Sequence, residues 1–459
     1  MKSNNIIYLS LITVFILVGS CKKGDDLFID PSHPLTVTPQ TLLTSVEVNT
    51  FMNIEGDLAR VSSVLDQQMA GATGQYQDLQ NYKMTESDYD NHWAGLWSNT
   101  MKNAKTMMDT YSGESPWYGG IARIMMAMNL GVATDIWGDV PYSEAFLAPA
   151  NFAAKYQPQQ EILDTIQNLL SEAITALSKP DSENHDLPGS DDLIFGGDAA
   201  SWIQAAWTLK ARYANRLSLK DPTGSATNVL NYLAKGISDP AHNLEAKHDG
   251  SGTAQNQWGA FQNQREGYFV GNKFFIDMLN ANSDPRLTYY FAEGTDGTYF
   301  GADITEEVIN TDASPIGPYF DVDQNYPLVT SYEARFLEAE AKQRLGQDAS
   351  VALNSGIKES VQYVTKGTND GSSIAKYTQA TATKTAILTE KYKAMFGQIE
   401  GWNDVRRTNI PALTPRPASA GAVLSYIPVR LPTPSKERLG NPDNAKVIEL
   451  NVPVWWATP

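Results

Sequence analysis

The sequence predicts a mainly α-helical chain with very little sheet. Apolar residues recur every three or four positions over several long stretches, whereas the alternating patterns typical of strands are few. The chain has 459 residues, of which 42% are hydrophobic and only 19% are charged, so it is long and apolar enough to bury a large core. It contains one cysteine, which excludes a disulfide framework. Packing must therefore hold the helices together.

Two stretches show the helical pattern most clearly, and a proline-containing break follows each of them. Lys179-Pro180-Asp181 stops the first stretch and Asp221-Pro222 stops the second. Both stretches are predicted to be amphipathic helices that share a core. Their apolar stripes consist of Ile162, Ile166, Leu169, Leu170, Ala173 and Leu177, and of Trp202, Ala206, Leu209, Tyr213 and Leu217.

A third helical segment begins at Tyr332 and ends near Gly346, and a second apolar stripe follows it from Leu353 to Val364. Its small residues and its terminal glycine are typical of a tetratricopeptide-like helix pair. One such pair cannot bury its apolar face alone, so we expect several pairs to stack.

Four long stretches between the helices show no clear period and are predicted to be irregular. Loops of such length in a compact chain usually carry function. The stretches comprise residues 70–92, 245–272, 292–330 and 408–446. The first two hold most of the loop aromatics, which lie among glycines and side-chain amides. We expect one globular unit, residues 41–459, that contains all four stretches.

The N-terminus has the pattern of a bacterial lipoprotein signal. A short segment with Lys2 precedes an apolar run from Ile6 to Val18, and Gly19-Ser20 leads directly into Cys21. The run is too short for a spanning helix, which needs about 20 residues, but it has the length of a signal peptide. We therefore predict that residues 1–20 are cleaved, that Cys21 is lipidated, and that residues 21–40 form a tether.

The residues after the cysteine carry an additional signal. Asp25 and Asp26 follow closely behind Cys21, a pattern that resembles the surface-export signal of some diderm bacterial lipoproteins. The alternative interpretation is a solvated linker without targeting information. On the first interpretation, the protein is anchored to the outer membrane and faces the medium.

Charge and motifs exclude several functional classes. The net charge of −17 argues against nucleic acid or an anionic lipid surface as a partner, because phosphates require basic patches. The sequence lacks the nucleotide-binding, serine-hydrolase and zincin motifs, and it predicts no cofactor. A polar cluster from His242 to Asp249 and an incomplete calcium-type loop from Asp321 to Tyr332 are weak metal candidates, so no metal site is predicted.

Five segments in order resemble the SusD/RagB family of outer-membrane nutrient-binding lipoproteins. The resemblance covers nearly the whole chain after Cys21. The segments are Asp135–Phe146 (DIWGDVPYSEAF), Ser283–Leu287 (SDPRL), Tyr332–Ala341 (YEARFLEAEA), Leu388–Phe396 (LTEKYKAMF) and Glu400–Pro411 (EGWNDVRRTNIP).

This resemblance implies a SusD-like fold with four tetratricopeptide-like helix pairs and an irregular, loop-rich ligand-binding region. It also implies a partner, a SusC-like TonB-dependent transporter that the lipoprotein caps. The segments themselves suggest architecture rather than chemistry. In the last of them, Trp402 is expected to pack in the core, while Asn403 and Asp404 lie within helical reach of Arg407.

We expect a binding protein rather than an enzyme, with an oligomeric nutrient as ligand, above all a glycan. Aromatic rings stack on the apolar faces of sugars, and amides hydrogen-bond their hydroxyls. The alternatives are a lipid-anchored glycoside hydrolase, a peptide-binding protein on the same scaffold, and a purely structural lid for the transporter. The candidate ligand-binding residues come from the two aromatic stretches: Tyr76, Tyr82, Trp93, Gln257, Trp258, Asn263 and Tyr268.

We predict that Cys21→Ala releases the protein from membranes without unfolding it, because the thiol serves only as the acylation site. Fractionation of cells that express the variant measures this release. A folded variant that stays firmly membrane-bound would contradict the lipoprotein assignment.

Overall fold

The computed structural model describes residues 37–459, so the signal peptide, Cys21 and the first part of the tether lie outside the described residues. The described chain is mainly helical. The helices are α1 Pro39–Ile54, α2 Asp57–Leu65, α3 Gly74–Gln80, α4 Asp90–Ala94, α5 Lys102–Tyr111, α6 Pro116–Trp137, α7 Gln159–Leu177, α8 Ala199–Arg216, α9 Pro222–Leu233, α10 Gln257–Gln264, α11 Lys273–Ala281, α12 Leu287–Tyr290, α13 Ser331–Arg344, α14 Ser350–Val364, α15 Lys384–Ala394, α16 Ile399–Thr408 and α17 Ser435–Gly440.

The strands are short and pair only locally. Each of the three sheets of the described chain has two antiparallel strands: β1 with β5, β2 with β3, and β4 with β6. The first sheet joins the two aromatic stretches, since Gly71 pairs with Phe269. The strands are β1 Met69–Gly71, β2 Val140–Pro141, β3 Tyr156–Gln157, β4 Leu244–Ala246, β5 Phe269–Gly271 and β6 Tyr326–Val329.

Consecutive helices pack in pairs, and the pairs contact one another. Four of these pairs are α6 with α7, α8 with α9, α13 with α14, and α15 with α16. Helix α7 contacts α8, α9 contacts α13, and α13 contacts α15, so the pairs form a continuous array. This arrangement confirms the SusD-like helical fold expected from the sequence.

Helix α6 is packed between α1, α5, α7 and α8 and is buried along almost its whole length. Proline at its first position and Gly138, with a φ of +84°, mark its two ends. Gly131 permits close packing against α8, because a Cβ atom there would lie 1.9 Å from the hydroxyl oxygen of Tyr213. Helix α6 is therefore fixed by backbone fit as well as by apolar burial.

The helices predicted from periodicity are confirmed as α7, α8, α13 and α14. The expectation of four irregular stretches is wrong in part. The first stretch contains α3, the second contains α10 and the fourth contains α17, which have seven, eight and six residues. Helices of two turns are too short to show a readable apolar period.

The charged residues of the family segments meet in the interior. The guanidinium group of Arg216, on α8, is fully buried and contacts the carboxylates of Asp135 on α6 and Glu400 on α16. Its neighbour Arg212 pairs with Glu333 on α13 at 2.6 Å. These buried ion pairs connect one helix from each of the four helix pairs.

The same network continues along α16. Arg407 donates to Glu340 on α13 at 2.6 Å and to Asp404 at 2.8 Å, while Lys391 on α15 lies 2.7 Å from Asp404. The expected contact between Asp404 and Arg407 is confirmed, but both side chains are buried rather than solvated. Trp402 is 1% exposed, with the Arg406 guanidinium 3.7 Å from its ring centroid, so its structural role is confirmed.

We predict that Glu340→Gln lowers the free energy of unfolding by about 3 kcal/mol at pH 7, because it leaves Arg407 underpaired in the interior. Burial raises the pKa of Glu340, but the Arg407 guanidinium outweighs burial and holds the pKa below its ordinary value. The stabilisation is therefore complete above about pH 4.3, the unfolded pKa, and is lost as the pH falls through the folded pKa. Denaturant unfolding at pH 7 and pH 3 measures both effects.

The matched control is Glu338→Gln on the same helix, where the side chain is a quarter exposed and pairs with Lys342. Its cost should stay below about 1 kcal/mol, as for other exposed pairs. An equal loss for both variants would contradict the structural importance of the buried network.

Candidate functional site

A cavity of about 500 Å³, here called the main pocket, lies between helix α2 and the chain from α3 to α4. Its size falls within the range of about 300–1,000 Å³ that is usual for small-molecule sites. Helix α2 supplies one wall, and the first of the two aromatic stretches supplies the rest. The lining residues are Asp57, Val61, Gln75, Tyr76, Asp78, Leu79, Lys83, Met84, Thr85, Asp88, Tyr89, Asn91 and His92.

Asp57 organises the inner wall of the main pocket. Its carboxylate accepts the Tyr76 hydroxyl at 2.5 Å and lies 2.9 Å from Nε2 of His92. Burial raises the pKa of Asp57, but the hydrogen bond with His92 and the charge of Arg60 outweigh burial and hold the pKa well below its ordinary value. Asp57 is therefore ionised at neutral pH and fixes the orientation of both rings.

The backbone of the outer wall is fixed by local signals in the sequence. Helix α3 starts at Gly74, whose φ is +57° and whose missing Cβ makes room for the ring of Tyr268. A helical turn, Glu86–Tyr89, is closed by a capping box in which the Asp88 carboxylate accepts the Thr85 backbone N–H at 2.7 Å. The rim is thus held in place before any ligand arrives.

Polar side chains surround the mouth, and apolar groups lie beneath them. Gln75 and Asn91 are exposed amides on opposite segments, while Lys83 pairs with Asp78 at 3.4 Å. The floor includes Tyr89, which is buried, with its hydroxyl 3.1 Å from the sulfur of Met84. Hydrogen-bonding groups around a partly aromatic floor suit a ligand with many hydroxyls.

Tyr76 is the one sequence-predicted residue that lines the main pocket. Its ring is 1% exposed and packs edge-on against Phe261 and Phe269, with centroid distances of 5.4 and 5.3 Å. The hydroxyl, rather than the ring face, is therefore the group that Tyr76 contributes to the wall.

The two aromatic stretches meet where β1 pairs with β5, but their rings form core rather than a binding surface. Trp258 is fully buried, stacks on Phe320 at 4.5 Å and lies edge-on to Phe269 at 5.6 Å. The expectation that Trp258 presents an exposed face is wrong. Its burial follows from α10, which turns this residue away from solvent.

Trp93 lies in a different cluster. It stacks on Trp97 at 3.8 Å and meets Trp137 edge-on, and within the described residues it shares no ring contact with Trp258. The two tryptophans therefore do not share one binding surface. Helix α4 points His92 toward the main pocket and its neighbour Trp93 to the other side.

The other four candidates, Tyr82, Gln257, Asn263 and Tyr268, do not line the main pocket. Tyr82 is 3% exposed and its hydroxyl accepts the backbone N–H of Arg416. Gln257 and Tyr268 are half-buried, and Asn263 is exposed. The backbone carbonyl of Gln257 accepts a hydrogen bond from Arg60 at 3.1 Å, which ties α10 to the inner wall. A ligand-binding role for these side chains stays a prediction.

Sequence reasoning missed most of the main pocket, above all Asp57, Gln75, Asn91 and His92. The stretch 70–92 was identified as functional from its length and aromatic content, but its polar members carry no motif. Asp57 lies outside that stretch on α2, and only the fold brings it to the wall.

The weak metal candidates do not form a centre. His242 contacts Ser201, whereas His248 lies 2.8 Å from Glu55, so the two histidines serve different contacts. The side chain of Asn325 bonds to Glu245 and to the backbone of His248. Among residues 37–459, we find no group of three or more His, Cys, Asp and Glu residues arranged to hold a metal ion.

The chain belongs to the SusD-like family. The family model, described as starch-binding associating with outer membrane, matches residues 31–434. Members of this family are binding proteins rather than enzymes, and they are associated with the outer membrane. A comparison with curated proteins gave no match. Among residues 37–459, no helix is long and apolar enough to cross a membrane.

Several solved structures share the fold over nearly their whole length. A SusD/RagB family protein from Bacteroides thetaiotaomicron is 24% identical with a TM-score of 0.74, covering 92% of this chain and 99% of its own. A chitin-binding protein is 23% identical with a TM-score of 0.77, covering 92% and 100%. A chitin-binding SusD homolog from Flavobacterium johnsoniae is 20% identical with a TM-score of 0.76, covering 91% and 98%.

Proposed function

We propose that the protein is a cell-surface lipoprotein that captures a glycan in the main pocket and delivers it to a SusC-like TonB-dependent transporter. The observation that carries this proposal is a cavity of about 500 Å³ with a polar rim and a partly aromatic floor in a SusD-like chain. Similar structures described as chitin-binding support a sugar ligand. The lipid anchor at Cys21 would hold the domain at the membrane where the transporter lies.

The chemistry of the rim favours a neutral sugar over a charged ligand. Lys83 is paired with Asp78, Asp57 is paired with His92 and Arg60, and the Asp88 carboxylate accepts the Thr85 backbone N–H, so these charges already have partners within the protein. The exposed amides of Gln75 and Asn91 offer both donors and acceptors. A glycan hydroxyl can use both, which makes the two amides the expected sugar contacts.

The same geometry supports capture without catalysis. Glycoside hydrolysis commonly requires one carboxylic acid with a raised pKa that protonates the leaving group. The inner carboxylate of the main pocket, Asp57, has its pKa lowered and is held by Tyr76 and His92. It is set to orient neighbouring side chains rather than to donate a proton.

We predict that Gln75→Ala weakens the binding of a glycan by about fivefold, the loss expected for one hydrogen bond of about 1 kcal/mol. Titration calorimetry of the purified domain with tetrasaccharides of N-acetylglucosamine and of glucose measures the affinity. Incubation of the same mixtures and assay of reducing ends tests the absence of hydrolysis.

The matched control is Gln77→Ala, an exposed glutamine on the same short helix that does not line the main pocket. Its affinity should equal that of the unsubstituted protein. Equal losses in both variants would place the ligand elsewhere, and released reducing ends would favour the hydrolase.

A further inference from the structure

The loop at residues 189–197, here called the acidic loop, joins two helices through neighbouring carboxylates. The Asp191 carboxylate accepts the hydroxyl of Tyr118 on α6 at 2.8 Å. The Asp192 carboxylate accepts the indole N–H of Trp202 on α8, also at 2.8 Å. The acidic loop is therefore held against the helix pairs by side chains from both of these helices.

The carboxylate of Asp192 is almost completely buried, with 3% of the residue exposed. Besides the indole of Trp202, three backbone N–H groups of the acidic loop donate to it, those of Ile194, Phe195 and Gly197, at 3.0, 2.9 and 2.8 Å. Four N–H donors fill the acceptor sites of an ionised carboxylate. Asp192 therefore has the contacts of a buried anion.

Helix α1 places a second carboxyl group, that of Glu47, against the same loop. Glu47 is fully buried, and its Oε2 accepts the backbone N–H of Leu193 at 2.7 Å. Its Oε1 is buried without a hydrogen-bond partner among residues 37–459. One turn earlier on α1, Thr44 donates to the backbone carbonyl of Asp191 at 2.9 Å. A buried oxygen without a partner is costly when it carries charge, whereas a protonated carboxyl group is neutral.

The surroundings of Glu47 oppose its ionisation. Burial, followed by the negative charge of Asp192, raises the pKa of Glu47 well above its ordinary value, and the hydrogen bond from Leu193 offsets only part of this shift. The charge of Asp191 raises the pKa further. Burial also raises the pKa of Tyr118, so its hydroxyl stays neutral.

No compensating positive charge comes from the helices α2, α5 and α6, which also pack against α1. Their charged groups are exposed or paired with other residues. These groups are Lys102, Lys105 with Asp109, Arg123 with Glu172, Asp135 with Arg216, and Asp57 with His92 and Arg60.

We propose that Glu47 and Asp192 hold one proton between them and form a pH-sensitive clamp between α1 and the acidic loop. While the proton is present, the pair carries a single negative charge, which the four N–H donors of Asp192 stabilise. Loss of the proton at alkaline pH places two like charges side by side in the interior and weakens the clamp. The clamp does not depend on the ligand of the main pocket.

The sign of the pH dependence follows from the raised pKa of Glu47. As the pH rises, the unfolded chain releases this proton first, at about pH 4.3, while the folded protein still holds it. The stabilisation is therefore complete below about pH 4.3 and is lost as the pH rises through the folded pKa. Between the two pKa values, one proton changes the unfolding equilibrium constant by about tenfold per pH unit.

The substitution Glu47→Gln tests the clamp, because glutamine has nearly the shape of the protonated side chain and cannot ionise. We expect the unfolding constant of the unsubstituted protein, divided by that of the variant, to rise at least about tenfold between pH 5 and pH 7 in denaturant unfolding. Hydrogen-exchange mass spectrometry at pH 6 and pH 9 locates the effect. After correction for intrinsic exchange rates, residues 187–198 should open more at pH 9 in the unsubstituted protein but not in the variant.

Glu161→Gln on α7 is the matched control, because Glu161 is exposed. This variant should keep the pH dependence of the unsubstituted protein. Parallel pH profiles of the unsubstituted protein and Glu47→Gln would overturn the clamp. Hydrogen exchange of the unsubstituted protein needs no variant, so it decides the matter even if Glu47→Gln fails to fold: unchanged opening of residues 187–198 between pH 6 and pH 9 would also overturn the clamp.

Discussion

The buried ion network on α8 and α16 is the constraint on which the rest of the structure depends. Arg216 bridges carboxylates of α6 and α16, and Arg407 joins Glu340 of α13 to Asp404 of its own helix, all in a buried setting. Removing one member leaves an uncompensated charge in the interior, so any arrangement of the helix pairs that separates these partners is strongly disfavoured. Three of the family segments contribute to this network, since each supplies charged members of it. They are Asp135–Phe146, Tyr332–Ala341 and Glu400–Pro411.

The same array positions the main pocket through helix α2. Helix α2 packs on α16, and the chain at its end is tied to α15 by two hydrogen bonds, from the Tyr392 hydroxyl to the Asp66 carbonyl and from Gln68 to the Tyr392 carbonyl. Asp57 and Val61 therefore reach the pocket from a rigid base. The opposite wall consists of short elements held by local caps. Its conformation therefore depends on these caps rather than on the packing of the helix pairs.

The fold could be predicted from the sequence because its signals are local and repeated. Apolar stripes such as Trp202 to Leu217 have the period of a helix, and the family segments lie in order along the chain.

The candidate site was predicted only in part. The stretch 70–92 was identified, but aromatic residues alone cannot reveal which ring faces are covered: Trp258 is buried by Phe320, and Trp93 by Trp97. Asp57 gave no local signal, because its role arises only from tertiary contacts.

A structure of the protein with a bound tetrasaccharide of N-acetylglucosamine or glucose would test the central claim most directly. We predict that the sugar lies in the main pocket, with its hydroxyls in hydrogen-bond contact with Gln75 and Asn91 and with the contacts of Asp57 to Tyr76 and His92 intact. A sugar bound on the outer faces of the helix pairs, with the main pocket free of ligand, would contradict it.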